Sequence, residues 1–111
     1  KNNKIDLLEK LLFSIKKSNE FSEELINWSL QKKNNKYIEY ILSLGLNINN
    51  VDENGNSLLI RAAINNNQDM IDYLINKGAD ISLKGENNKS ILSFTNSSKI
   101  RQFLISKGAK W

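Results

Sequence analysis

The side chains that most often carry out chemistry are missing from this chain or badly placed for it. Among 111 residues there is no His and no Cys. That excludes a His/Cys zinc site, a thiolate nucleophile, a disulfide framework and a Ser-His-Asp triad. Two carboxylate pairs remain as conceivable acid–base groups, Glu23/Glu24 and Asp52/Glu53. Both are pairs of sequence neighbours, one at a helix start and one in a turn, and acids at a helix N-terminus are explained by the helix dipole. Gly55 and Gly85 fall in turns that lack the spacing of a phosphate-binding loop. The basic loop Lys32-Lys33-Asn34-Asn35-Lys36 has one aromatic neighbour, Tyr37, which is expected to pack inside rather than stack on a base. No catalytic residue, cofactor or metal is expected, and the chain reads as a non-enzyme.

Charge offers a second possibility. Of the net +4, residues 1–55 contribute nothing, with eight Lys against eight acids, whereas residues 56–111 hold eight Lys/Arg against four acids. Lys99, Arg101, Lys107 and Lys110 close the chain with no acid among them. A basic C-terminal third could bind nucleic acid or another anionic surface without sequence specificity. Only two Arg are present, however, and Arg is the usual reader of base edges and phosphates. Asn, Ile and Lys together supply 46 of the 111 residues. That bias fits an AT-rich coding sequence better than a prion-like tract, because the Asn residues are interleaved with regularly spaced Leu and Ile. No apolar run approaches the ~18 residues of a membrane span. The chain opens at Lys1 rather than Met, as a processed product would, and a signal peptide removed earlier is compatible with that. Absence of Cys fits a cytoplasmic location.

With little chemistry to place, the informative feature is what repeats. Gly45, Gly78 and Gly108 each follow an aliphatic helix-like stretch, at spacings of 33 and 30. At an offset of 33, Leu25 matches Leu58, Asn34 matches Asn67, Ile38 matches Ile71, Tyr40 matches Tyr73 and Ile48 matches Ile81. Leu74–Ala79 recurs almost unchanged as Leu104–Ala109, and the three residues missing from the last unit fall between Asn96 and Lys99. Each unit reads as two short helices. In the middle one, Ser57 caps a helix over Leu58–Ala63, Asn65-Asn66-Asn67 breaks it, and a second helix runs from about Gln68 to Lys77. Met70, Ile71, Leu74 and Ile75 form its apolar stripe. Gly78 ends that helix in the left-handed conformation. Helices this short cannot bury their own faces, so stability must come from stacked neighbours.

The middle unit resembles the ankyrin repeat family. It carries Asp52-x-x-Gly55-x-Ser57-x-Leu59-x-x-Ala62-Ala63, then Met70-Ile71-x-x-Leu74-Ile75-x-x-Gly78-Ala79-Asp80. Ser57-Leu58 stands where the family usually has Thr-Pro, and Ile60 where it usually has His. In the first unit Ser22 replaces the turn glycine and Ser29-Leu30 the alanine pair; in the last, Asn88 and Thr95-Asn96 do so. The resemblance implies an all-α, short solenoid of stacked helix-turn-helix units with polar turns between them. Residues 1–111 then form a single domain. Its parts are an N-terminal capping helix or half repeat (1–18), repeats at 19–51 and 52–84, and a shortened C-terminal repeat (85–111). Trp111 takes the place of Ile48 and Ile81 and is expected, with Phe94 and Phe103, to seal the last apolar face.

The resemblance also implies a monomeric scaffold that binds another protein, as an adaptor domain or a small inhibitor. Carried onto this chain, the family's contact positions fall at Phe21 in the first unit's turn. They continue at Glu53, Asn54 and Asn56 in the next turn and at Glu86, Asn87 and Lys89 in the last. On the inner helices they fall at Gln31 and Lys32 and at Ile64 and Asn65. Ile64 and Phe21 stand out, since an exposed apolar side chain near the centre of a groove can anchor a partner.

Overall fold

Why short helices form here is visible at their ends. In a computed structural model, which describes residues 23–111, the Ser57 Oγ accepts the Ile60 amide at 3.2 Å and starts a helix over Leu58–Ile64. Asn67 Oδ1 accepts the Met70 amide at 3.2 Å to start Gln68–Asn76. Ser97 Oγ does the same for Ile100, opening Ser98–Ser106. With Glu23–Lys32 and Lys36–Ser43 before them, these make five α-helices among the described residues, numbered α1 to α5. Two 3-10 segments, Glu86–Asn88 and Ile91–Phe94, complete the set. No strand occurs among the described residues; Val51 and Ser57 pair as a single antiparallel bridge.

The 33-residue register is repeated in backbone detail. Lys33 and Asn66, one period apart, both adopt positive φ (58° and 51°) where the inner helices α1 and α3 end. The following amides, Asn34 and Asn67, donate back to Ser29 O and Ala62 O at 3.0 and 2.9 Å. At the ends of α2, α4 and α5, Gly45, Gly78 and Gly108 sit at φ 110°, 95° and 105°. There the next amide closes on a carbonyl five residues back, as Ala79 does on Leu74 and Ala109 on Leu104. Only a residue that tolerates left-handed backbone allows this helix ending.

Packing follows the same register. Helix α3 is buried on every side from Leu58 to Ala63. Ala62 and Ala63, both fully buried, leave room for the neighbouring elements. The stripe expected on α4 is observed for Met70, Ile71 and Leu74, while Ile75 is half-buried against the core. Tyr37 is fully buried, as a packing role requires. In the first unit Ser29 replaces the alanine, and its Oγ is buried with no hydrogen-bond partner among the described residues.

Polar side chains tie one unit to the next. Arg61, 4% exposed, points from α3 into the first unit. Its Nη2 lies 3.0 Å from Glu23 Oε1 and donates to Asn27 Oδ1 at 2.5 Å, while its Nε is 3.6 Å from Asp52 Oδ2. Fully buried Asn67 donates to Leu30 O at 3.2 Å. Asn49 Oδ1 accepts the Asp80 amide at 2.9 Å. The Ser82 hydroxyl and amide in turn hold the Asp80 carboxyl below its ordinary value. A lowered carboxyl favours the fold above its unfolded-state pKa near 3.8, and that contribution fades as the pH falls through the folded value.

The last unit departs from the expected pair of α-helices, since its first helix is the four-residue 3-10 segment Ile91–Phe94. Thr95 explains the early stop: its backbone is extended, its Oγ1 donates to Asn66 Oδ1 at 2.6 Å, and the same oxygen accepts the Ser97 amide. Side-chain bonds of this kind compete with helix continuation, and the three missing residues leave no length for another turn. The expected seal also differs. Phe94 and Phe103 pack on the core, but Trp111 is 70% exposed with the Arg101 guanidinium 5.7 Å from its ring. The Ser90 hydroxyl holds the Lys110 carbonyl, and buried Ala109 already covers the core edge, so the indole is left outside. The leading helix expected within residues 1–18 lies outside the described residues.

Three substitutions test this packing. Ser29→Ala should raise Tm and stabilise by about 1 kcal/mol, because it removes a buried hydroxyl that has lost its water partners. Arg61→Ala should destabilise by roughly 3 kcal/mol, leaving the half-buried Asp52 without its cation. Gly85→Ala should cost roughly 1–3 kcal/mol, since a Cβ there would stand 2.4 Å from Asn56 Oδ1 and 3.0 Å from Ile60 Cδ1 and Phe94 Cζ. Urea unfolding at fixed pH checks all three.

Candidate protein-binding surface

The turn between the first and middle units is built by one carboxylate. Asp52 Oδ1 accepts the amides of Asn54 and Asn56, both at 2.9 Å. The Gly55 amide closes on Asp52 O at 2.9 Å, and Asp52 N donates to Asn56 O at 3.0 Å. Glu53 and Asn54 are left exposed at the tip. One period later the backbone pattern returns without the carboxylate: Gly85 N donates to Lys89 O and Asn88 N to Gly85 O, each at 2.9 Å. Asn88 takes φ 60° where the earlier turn has Gly55 at 84°. This is the role expected of Asn as a glycine substitute. Asn87, also at φ 60°, is exposed with Glu86 and Lys89.

Asn56 does not belong to the exposed set. It is 4% exposed, and its Oδ1 accepts the Glu86 amide at 2.8 Å, so it braces one turn against the next. The bond joins the two turns: it serves the Glu86 amide, one period after Glu53, and not an equivalent of the amides that Asp52 holds. That is the physical reason for burying a side chain expected on the surface. Gly85 permits the close approach, because any Cβ would meet the same oxygen.

At the other end of α3, Ile64 is 47% exposed, unlike the six residues before it. Asn65 beside it is half-buried, its Nδ2 donating to Arg61 O at 2.8 Å. Gln31 and Lys32, one period earlier at the end of α1, are exposed. A seven-residue helix is about 10 Å long, so the turn tips and the Ile64 end mark two edges of an extended surface rather than a pocket. Phe21 lies outside the described residues.

Sequence reasoning did not single out Arg61, Asn27 or the Asn66–Thr95 bond. Arg61 sits inside an otherwise apolar run, Leu58–Ala63, and an isolated charge in such a run is the signal that points to a buried pair. Nothing local marks Asn27 or Thr95, whose partners lie about one repeat away.

Among the described residues no group of three or more Asp or Glu could hold a metal, and no helix is long and apolar enough to cross a membrane. No curated protein matches the chain. The family model for ankyrin repeats, in three copies, matches residues 1–85. Such repeats generally mediate protein–protein interactions and are typically non-catalytic. The match stops at the turn before the 3-10 segment that opens the last unit. Repeated helix ends, a shared 33-residue register and a match over 85 of 111 residues agree, and the chain belongs to the ankyrin repeat family.

Proposed function

We propose that this chain is a non-catalytic module that binds a partner protein along its turn tips and the exposed end of α3. It would act as an adaptor domain or as a small protein inhibitor, monomeric and cytoplasmic. The observation that carries this reading is the contrast along α3: six buried residues, then Ile64 with 47% of its surface exposed. An apolar side chain held on a rigid helix is a suitable anchor. Glu53, Asn54, Glu86, Asn87 and Lys89 would supply a polar rim, with Gln31 and Lys32 beside the anchor. Folding uses little of these side chains, which leaves them available for recognition.

A second reading has one observation behind it. From Asn87 to Trp111 the chain carries five cations and no acidic side chain, and the only ion pairs among the described residues involve Arg61. Nucleic acid or another anionic surface could use that charge.

A pull-down separates the outcomes. An E53A/N54A/I64A variant should match the wild type in unfolding free energy to within about 0.5 kcal/mol and bind its captured partner roughly tenfold more weakly. Equal capture of every partner would remove the assigned surface. Titration against duplex DNA and RNA tests the alternative, since real binding must weaken steeply with salt; no binding at low salt would end it.

A further inference from the structure

Asn54 precedes Gly55, and no other Asn in the chain is followed by glycine. In such a pair the backbone nitrogen of the second residue can reach the side-chain carbonyl carbon of the first, and glycine has no side chain to hinder the approach. The structure leaves this pair accessible. Asn54 is exposed at the turn tip, and a Cβ built on Gly55 would meet nothing within 4 Å. One hydrogen bond restrains the attacking nitrogen, from Gly55 N to Asp52 O at 2.9 Å. A single bond in a surface turn opens far more cheaply than the fold does.

We propose that Asn54 is a site of spontaneous deamidation, and that the product loosens the brace between consecutive turns. The Gly55 nitrogen attacks Asn54 Cγ, the Cγ–Nδ2 bond breaks, and ammonia leaves with the proton lost from the Gly55 amide. Water then opens the resulting five-membered imide at either carbonyl. The net change is one amide and one water converted to one carboxylate and one ammonium ion. Opening at one carbonyl restores a normal backbone with an aspartyl side chain. Opening at the other gives an isoaspartyl residue, whose main chain is longer by one methylene.

The two products act differently on this turn. Both add a third negative charge beside Asp52 and Glu53. Only the isoaspartyl form lengthens the loop that Asp52 closes through its bonds to Asn54 and Asn56. Asn56 is also the acceptor for the Glu86 amide, so displacing it frees a bond in the next turn. The modification thus changes both tips of the surface proposed above, although its chemistry does not depend on that reading.

Incubation of the full chain at physiological temperature and mildly alkaline pH, beside N54Q and with freshly prepared, unincubated N54D as the charge control, tests the proposal. The expected result is an amide-to-acid mass gain at Asn54 before any other Asn, with isoaspartyl methyltransferase labelling in the wild type and none in N54Q at that position. Amide exchange at Glu86 should be faster in the aged wild type than in N54D, which carries the charge without the added methylene. Two results would overturn the site: Asn54 intact while exposed Asn96 has converted, or Asn54 converting only in the urea-unfolded chain. Equal exchange at Glu86 in the aged protein and N54D would overturn the link between the turns.

Discussion

A helix pair of seven to ten residues per helix cannot enclose its own apolar face, and the rest of this molecule follows from that constraint. Helix α3 is the clearest case. All of Leu58 to Ala63 is buried, which one partner helix could not achieve. Cover comes from α4 in its own unit, from the 3-10 segment Ile91–Phe94 on one side and from the first unit on the other. Each unit therefore owes its stability to its neighbours.

Stacking brings backbone groups as well as side chains out of water, and those groups need partners. Here the partners are largely side chains from the adjacent unit. Asn67 bonds the end of α1 at Leu30, Thr95 bonds Asn66, and Asn56 bonds the amide of Glu86. Arg61 carries a charge into the same interface and meets Glu23, Asn27 and Asp52 there. Asp52 thus does two things at once. One of its oxygens shapes the turn, while the other faces the buried guanidinium. The turn that presents Glu53 and Asn54 to solvent is in this way connected to the core.

Departures from the family pattern have unequal consequences. Asn88 replaces a turn glycine at little cost because it adopts φ 60°. Ile60 stands in the position usually held by His and is buried as a plain hydrophobe. Ser29 keeps the small size of the alanine it replaces but leaves a hydroxyl unsatisfied. Thr95 changes local structure outright, ending a helix early in exchange for a bond to the preceding unit.

Much of the architecture was legible from spacing. Glycines at a 33-residue period, Ser57 ahead of an aliphatic run and the stripe on α4 specified the middle helix pair closely. Capping and left-handed helix ends depend on a few adjacent residues, so local sequence carries them. Of the surface positions, Glu53, Asn54, Glu86, Asn87 and Lys89 are exposed as expected, because turn tips are polar and nothing packs on them. Asn56 and Trp111 were misplaced for one shared reason. Whether a side chain faces in or out at those points depends on a group far along the chain: the Glu86 amide for Asn56, and for Trp111 the Ser90 hydroxyl and the filled core edge at Ala109. Sequence by itself determined the repeat, its period, its helix ends and its lack of His/Cys chemistry. Tertiary structure alone decided which polar residues brace the stack and which stay free, since burial and hydrogen bonding are settled only when one unit meets the next.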